Sequence, residues 1–215
     1  VSLAADYLRY AMGNAGLRGK CVVIVQREGL DRLDDAHLVD RILGARPDIV
    51  CATLYAWNVE RSIDVLRKLK AVNQRLKVAV GGPEVARDHP FLFRSGVPDV
   101  AVIGEGEPVI CAIVGALCKG RKPVLPATAW RIGSRYAWGP CRSVAASLAD
   151  LLPPPGHGSN RPFDGGIGYL ETGRGCPLRC AFCCYNQRRR TASYLDAADV
   201  VRRVKVLRDR GAREI

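Results

Sequence analysis

The feature that most constrains the fold is a regular alternation of short β-branched runs with amphipathic segments between residues 20 and 120. This rhythm is typical of parallel strands joined by crossover helices. It predicts a doubly wound, Rossmann- or flavodoxin-like α/β domain built on a parallel sheet. The predicted strands are Cys21–Gln26, Asp48–Tyr55, Lys77–Val80 and Asp99–Ile103. The predicted helices are Asp35–Leu43, Val59–Val72, Val85–Ser95 and Pro108–Lys119, with Asn58 as a plausible N-cap of the second.

The residues that directly follow these strands are the candidates for binding a ligand, because ligands of such sheets bind beyond the carboxyl ends of the strands. They form the segments Arg27-Glu28-Gly29, Tyr55-Ala56-Trp57-Asn58, Gly81-Gly82-Pro83-Glu84 and Gly104-Glu105-Gly106-Glu107. Two of these turns are rich in glycine, which permits positive φ and close approach of a ligand to backbone amides. The same glycines could simply make tight strand-to-helix turns, so both interpretations stay open.

The amino-acid composition of the chain changes after residue 120. Its aromatic, glycine and proline residues predict a small hairpin, roughly Ala127–Arg131 paired with Arg135–Trp138. Pro153–Pro155 and the glycine-rich stretch Gly156–Gly168 then predict a linker. We therefore expect an α/β domain over residues 1–122, a hairpin and linker over 123–166, and a further unit over 167–215.

The last unit begins with a predicted strand, Ile167–Glu171, and continues into a helix from about Leu195 to Arg210. Residues 211–215 predict the end of that helix and the start of another strand. One strand, one helix and the start of a strand cannot bury a core of their own. We therefore expect the chain to be a fragment of a longer protein.

The nine cysteines are unevenly distributed along the 215 residues. Four of them fall between Cys176 and Cys184, whereas others lie in apolar runs, where cysteine serves as a small hydrophobe. An odd count at uneven spacing favours a metal site in a reducing compartment over a disulfide framework. The apolar stretch Pro108–Leu117 is too short to cross a bilayer, so we expect a cytoplasmic protein without a membrane partner.

Cys176, Cys180 and Cys183 are separated by three and then two residues. Soft thiolates at this density select iron–sulfur clusters or zinc. Structural zinc needs a fourth ligand, and the adjacent Cys184 is a poor one because neighbouring side chains diverge. A thioredoxin-like site does not require Cys176, and haem attachment would need histidine at position 184. A cluster held by three cysteines leaves one iron open to another ligand.

This loop resembles that of the radical S-adenosylmethionine superfamily, whose CxxxCxxC motif with an aromatic residue before the third cysteine matches Cys176, Cys180, Phe182 and Cys183. The family places the loop after the first strand of a partial (β/α) TIM-type barrel. The resemblance implies a 4Fe-4S cluster whose open iron chelates S-adenosylmethionine and whose electron cleaves it to methionine and a 5′-deoxyadenosyl radical. It implies that Phe182 packs near the adenine, and that an electron-donor protein such as flavodoxin or ferredoxin reduces the cluster.

The α/β domain ahead of this loop is similar to the N-terminal cobalamin (B12)-binding domain found in one branch of the superfamily. The resemblance runs from about residue 3 to the end of the chain and allows a methyltransferase acting on an unactivated carbon or phosphorus centre. It implies cobalamin contacts from Tyr55, Trp57, Asn58, Gly81, Gly82, Pro83, Gly104, Glu105 and Gly106.

The chain departs from this branch at one motif. The DxHxxG histidine that ligates cobalt would follow the first predicted strand, yet Gln26-Arg27-Glu28-Gly29-Leu30 contains no histidine. His37, His89 and His157 have no support as ligands. We therefore expect that any cobalamin is bound without a lower histidine ligand, and loss of cobalamin from the domain stays an open alternative.

Two other functions stay open. The class of enzymes that thiolates transfer RNA also places an α/β domain before a CxxxCxxC loop, but its second cluster uses N-terminal cysteines in loops, whereas Cys21 and Cys51 fall in predicted strands. A non-catalytic iron–sulfur or zinc module could bind nucleic acid, because Arg174–Ile215 holds 11 basic against 4 acidic residues. That basic bias also fits a solvated helix face or a reductant protein, so nucleic acid is the less expected partner. The substrate, a small molecule or a peptide, is not identified by the sequence.

Overall fold

The computed structural model describes residues 3–14, 32–123, 125–140, 147–155, 157, 166–178, 180–183 and 192–215. The chain divides into two compact units, one within Glu28–Val144 and one comprising Val1–Arg27 with Ala145–Ile215. The predicted strand Cys21–Gln26 and the segment Gln26–Leu30 lie outside the described residues. The described helices are α1 (Leu3–Asn14), α2 (Asp35–Gly44), α3 (Val59–Val72), α4 (Ile110–Cys118), α5 (Leu148–Leu151) and α6 (Ala197–Asp209). The described strands are β1 (Ile49–Thr53), β2 (Lys77–Gly81), β3 (Val100–Val102), β4 (Thr128–Ile132), β5 (Arg135–Trp138), β6 (Gly173–Arg174) and β7 (Ser193–Tyr194).

The unit within Glu28–Val144 is built on one sheet with the strand order β1-β2-β3-β4-β5. β1, β2 and β3 are parallel, with Ile49 opposite Lys77 and Ala79 opposite Val100. β4 and β5 complete the sheet in the antiparallel direction. The predicted α/β class is therefore confirmed, with two antiparallel strands added to the parallel ones.

The predicted hairpin is confirmed as β4 and β5, but it belongs to the sheet. Trp130 of β4 lies opposite Val100 of β3, so the hairpin continues the sheet directly. The sequence groups this hairpin with the linker because its pairing partner lies some thirty residues earlier in the chain, and local patterning carries no sign of that contact.

Helices cover both faces of the sheet. Alternate residues of β2 enter different hydrophobic clusters, with Val78 and Val80 in one and Ala79 in the other, as expected for a strand buried on both sides. α3 packs into the first cluster through residues such as Leu66, and α4 packs into the second through Ile113. This arrangement is the predicted doubly wound one.

One predicted helix is absent from the sheet unit. Residues 85–95 form a series of turns, not the predicted helix Val85–Ser95. Pro90 lacks the N–H that a helix interior needs, and it disfavours the helical conformation at His89. Side chains take over the hydrogen bonding, since the His89 Nδ1 accepts from the Leu92 N–H at 3.1 Å and the Ser95 hydroxyl donates to the Leu92 carbonyl at 2.6 Å.

The second unit contains α1, α5, β6, β7 and α6. Its hydrophobic core includes Tyr7, Leu148 and Leu195. α6 confirms the predicted helix near Leu195–Arg210, and it begins at the N-cap Asp196, whose carboxylate accepts from the Asp199 N–H at 2.7 Å. The sequence did not predict α1, α5, β6 or β7.

The predicted strand Ile167–Glu171 is reduced to a parallel bridge between Ile167 and Glu214. The Gly168 N–H donates to the Glu214 carbonyl at 2.7 Å, which places the segment before the cysteine loop beside the segment after α6. The segment at Ile167, α6 and the segment at Glu214 follow one another in the order expected for the opening of a (β/α) barrel, but the two bridged segments do not form full strands. Among the helices that the structure describes, none combines the length and the hydropathy needed to cross a membrane.

Candidate functional site

Three of the predicted ligand-binding turns lie side by side at the carboxyl edge of β1, β2 and β3. The turn after β1 is bonded to the turn after β2, since the Leu54 N–H donates to the Gly81 carbonyl at 2.7 Å and the Glu84 N–H donates to the Leu54 carbonyl at 3.2 Å. A Cβ on Gly81 would lie 3.9 Å from the Val102 Cβ, so β3 ends close by. The structure thus brings these turns together as the parallel topology requires.

Gly82 is held in this edge by the close packing of two turns. Its φ is +107°, a conformation that side chains with a Cβ rarely adopt. An added Cβ would lie 2.6 Å from the Leu54 carbonyl oxygen and 2.8 Å from the Leu54 nitrogen. Gly82 is therefore explained by the contact between the turns, without any ligand.

Gly104 differs from Gly82 in its surroundings. Its φ of +92° also requires glycine, but no heavy atom of the described residues lies within 4 Å of an added Cβ. Within the described part of the chain, the backbone at Gly104 therefore faces open space at the edge of the sheet. Gly106 has a structural function, because its carbonyl accepts from the Ile110 N–H at 2.9 Å where α4 begins. The half-buried Glu105 lies between these two glycines.

An aromatic pair follows β1. The rings of Tyr55 and Trp57 are stacked with centroids 4.6 Å apart and an interplanar angle of 9°, and Trp57 is 80% exposed. Asn58 occupies the predicted N-cap position of α3, but its side chain does not cap the helix. It instead braces the turn, accepting from the Tyr55 N–H at 2.8 Å and donating to the Thr53 carbonyl at 3.2 Å. This turn holds a flat apolar surface at the sheet edge.

Pro83, Glu84 and the three histidines of the chain are exposed or form local contacts. Pro83 is exposed, and the Glu84 carboxylate lies 3.5 Å from the Nε2 of His89. His37 is exposed on α2, where its Nδ1 lies 2.7 Å from the Asp34 carboxylate. The hydrogen bond with Asp34 raises the pKa of His37 above its ordinary value. His157 packs edge-on against Tyr10, with ring centroids 4.8 Å apart.

The cysteine loop lies in the second unit. Cys176 and Cys183 are half-buried, Cys180 is exposed, and all three are free thiols. The Cys183 N–H donates to the Cys180 carbonyl at 3.0 Å, which forms a tight turn between these two residues. Phe182, between them, is 92% exposed. Cys184 lies outside the described residues.

The donor set of this loop suits an iron–sulfur cluster, because three free thiols on one loop are the ligands that such clusters take. Within the described ranges, no three His, Cys, Asp or Glu side chains converge closely enough to share one metal ion. The three thiols are thus close in sequence but do not form a preorganised cage.

The sequence missed how this loop is anchored. The Arg174 guanidinium donates from Nε and one terminal nitrogen to the two oxygens of Glu171, at 2.8 and 2.9 Å. β6 pairs with β7, which joins the residues just before the loop to those just after it. The only sequence signal was an acidic and a basic residue three positions apart, a spacing that elsewhere reflects ordinary surface pairs.

A cluster of charged residues lies at the amino-terminal edge of the sheet, opposite the edge that carries the glycine turns. The Asp99 carboxylate accepts from the Lys70 Nζ at 2.7 Å, from the Val78 N–H at 2.8 Å and from Arg131 at 2.8 Å. Burial alone would raise the pKa of Asp99, but hydrogen bonds from these donors hold it below its ordinary value. Burial lowers the pKa of Lys70. Because three donors engage the Asp99 carboxylate, this cluster serves the packing of the sheet.

Residues 2–114 match the family described as B12 binding domain. The cobalamin-dependent radical SAM methyltransferase TokK of Streptomyces tokunonensis is 28% identical over 152 residues, which cover 64% of this chain and 22% of that protein. The uncharacterized methyltransferase PH0819 of Pyrococcus horikoshii is 32% identical over 149 residues, which cover 64% of this chain and 31% of that protein. The chain thus spans between about a fifth and a third of the length of these curated relatives.

A solved structure shares the fold over nearly the whole chain. The radical S-adenosylmethionine methyltransferase TsrM of Kitasatospora setae, with cobalamin and a 4Fe-4S cluster bound, superposes with a TM-score of 0.63. The match covers 97% of this chain and 44% of TsrM at 18% sequence identity, a level that establishes the fold alone.

Proposed function

This chain belongs to the B12 binding domain family, and from this premise we propose that it is part of a cobalamin-dependent radical S-adenosylmethionine methyltransferase. One observation carries the proposal: a domain of this family and a loop with three free thiols at CxxxCxxC spacing occur in the same chain. When bound, cobalamin supplies a carrier for a methyl group, and a 4Fe-4S cluster supplies an electron for the cleavage of S-adenosylmethionine.

We propose that cobalamin binds at the carboxyl edge of β1, β2 and β3. The corrin ring is flat and largely apolar at its faces, so the exposed indole of Trp57, stacked on Tyr55, offers a matching surface. The open space beside Gly104 allows a ligand to approach the backbone there. His37 and His89 are engaged in local contacts with Asp34 and Glu84, which supports binding without a histidine ligand from either.

We propose that Cys176, Cys180 and Cys183 hold the cluster. Metal binding is commonly coupled to local folding, so the three thiols need not converge before the cluster is present. The exposed Phe182 and Leu178 lie on the same loop and would shield bound S-adenosylmethionine from water. An electron-donor protein such as flavodoxin or ferredoxin is the partner that this chemistry requires.

The test is anaerobic reconstitution of the 215-residue chain with iron and sulfide, followed by reduction with dithionite in the presence of S-adenosylmethionine. We expect the wild-type chain to form a brown cluster and, on reduction, to show an electron paramagnetic resonance spectrum that S-adenosylmethionine shifts. Replacement of Cys176, Cys180 or Cys183 by alanine is expected to abolish both. Cys118→Ala is the matched control, since Cys118 is an exposed free thiol on α4.

Two results would count against the proposal. Iron uptake that is equal in the wild-type chain and in the three cysteine variants would refute the assignment of the ligands. Stoichiometric zinc in anaerobically purified protein would favour a metal module without radical chemistry.

A further inference from the structure

The cysteine loop is closed at its base by a short antiparallel ribbon. Gly173 lies opposite Tyr194 and Arg174 lies opposite Ser193, so eighteen residues separate the two ends of the loop. The Leu195 N–H donates to the Thr172 carbonyl at 3.0 Å and extends this pairing by one step. We call residues 171–174 together with 193–195 the loop stem.

The two sides of the loop stem are in close contact. A Cβ on Gly173 would lie 2.8 Å from the Tyr194 Cδ1, so the tyrosine ring rests directly on the glycine backbone. The Ser193 hydroxyl oxygen accepts from the Leu148 N–H at 3.0 Å and ties the stem to the start of α5. The base of the loop is therefore anchored in the second unit, whereas Phe182 near its tip is 92% exposed.

The Glu171–Arg174 pair orients the leading side of the stem. Its two parallel hydrogen bonds fix the planar guanidinium against the carboxylate, a geometry that a single contact would leave free to rotate. The side chains of Arg174 and Glu171 are only 16% and 21% exposed, whereas those of Arg208 and Asp209 are 73% and 71% exposed and 4.0 Å apart. Solvent screens the first pair far less than the second.

We propose that Glu171 and Arg174 are positioning residues for the cluster: they fix the backbone that leads into Cys176, so that the first thiol is presented to the iron. This inference rests on the proposed function, since it assumes that Cys176, Cys180 and Cys183 hold a cluster. Neither side chain is proposed to touch the cluster. The pair acts by holding the backbone of β6. Residues that orient metal ligands commonly act in this way, without touching the metal.

The test compares Glu171→Gln and Arg174→Gln with Arg208→Gln, a matched change at an exposed arginine of α6. Each chain is reconstituted anaerobically with iron and sulfide, and the release of iron to a chelator is followed together with the electron paramagnetic resonance spectrum of the reduced cluster. We expect both stem variants to release iron about tenfold faster than wild type. Arg208→Gln is expected to behave as wild type.

Two further variants separate positioning from loss of folding. Arg174→Lys keeps the charge but loses the bidentate hydrogen bonding to Glu171. Its rate of iron release is therefore expected to lie between those of wild type and Arg174→Gln. The charge swap Glu171→Arg with Arg174→Glu is expected to restore part of the lost retention. Circular dichroism is expected to show unchanged helix content in all of them, because Glu171 and Arg174 lie outside the helices.

The outcomes distinguish this inference from the proposed function. If the wild-type chain holds the cluster and the stem variants release iron at the wild-type rate, the positioning inference is overturned and the cluster stands. If the wild-type chain takes up no more iron than Cys176→Ala, the cluster assignment fails and the positioning inference fails with it.

Discussion

The structure predicts that Gly82→Ala destabilises the sheet unit strongly. At a φ of +107°, a residue with a Cβ costs about 1–3 kcal/mol in strain. The new Cβ would also lie 2.6 Å from the Leu54 carbonyl oxygen, a backbone atom that cannot swing aside as a side chain would. Overpacking of this kind typically costs about 1–3 kcal/mol more in the free energy of unfolding. The expected loss in the free energy of unfolding is therefore about 2–6 kcal/mol.

Gly104→Ala is the matched control for this change. Its φ of +92° imposes similar strain, but among the residues that the structure describes an added Cβ meets no heavy atom within 4 Å. We therefore expect only the strain contribution, about 1–3 kcal/mol. The difference between the two variants isolates the contact between the turns after β1 and β2.

Urea denaturation followed by tryptophan fluorescence is a suitable assay, because all three tryptophans, Trp57, Trp130 and Trp138, lie in the sheet unit. The midpoint is expected to fall further for Gly82→Ala than for Gly104→Ala at unchanged m. Equal midpoints, or a larger effect of Gly104→Ala, would refute the packing argument at this edge.

Three further predictions concern other parts of the chain. Asp99→Asn leaves the largely buried Lys70 without its counter-charge and is expected to cost about 3 kcal/mol in urea denaturation. Because the folded pKa of Asp99 lies below the ordinary value of 3.8, this contribution is present above pH 3.8 and is lost as the pH falls through the lower folded pKa, so the gap between wild type and variant should close there. Burial raises the pKa of Tyr136 to about 12. An absorbance titration is therefore expected to show one phenol that ionises at higher pH than an ordinary tyrosine, and Tyr136→Phe is expected to remove that step. Asp196→Ala removes the N-cap of α6 and is expected to lower thermal stability by about 1 kcal/mol, measured by circular dichroism.

The sequence predicted those elements whose residues carry a strong local pattern. The bounds of α3 agree with the predicted helix, because its apolar positions, among them Ile63, Leu66 and Leu69, recur at helical spacing and are all buried. The helix predicted at Val85–Ser95 was wrong because the apolar residues around Pro90 resemble a helical face while the proline prevents one.

What the sequence missed depends on contacts between distant residues. β6 and β7 have two residues each, too few to show a strand period, and they form only because the cysteine loop brings its ends together. The sequence placed the glycine-rich turns at the carboxyl edge of the sheet, where the structure has them. It could not distinguish Gly82, which packs against Leu54, from Gly104, which faces open space in the described part of the chain. That distinction depends on the neighbouring turn, not on the glycine's own segment.

The proposed function requires that the carboxyl edge of the sheet binds cobalamin. Equilibrium dialysis of the 215-residue chain against hydroxocobalamin tests it directly, with Trp57→Ala as the site variant and Val72→Ala, an exposed apolar residue at the end of α3, as the control. Loss of an indole contact worth about 1.5–3 kcal/mol corresponds to binding weaker by about tenfold or more. We predict that the wild-type chain and Val72→Ala bind equally and that Trp57→Ala binds at least about tenfold more weakly. Absence of binding by the wild-type chain, or equal binding by Trp57→Ala, would refute the proposed cobalamin site.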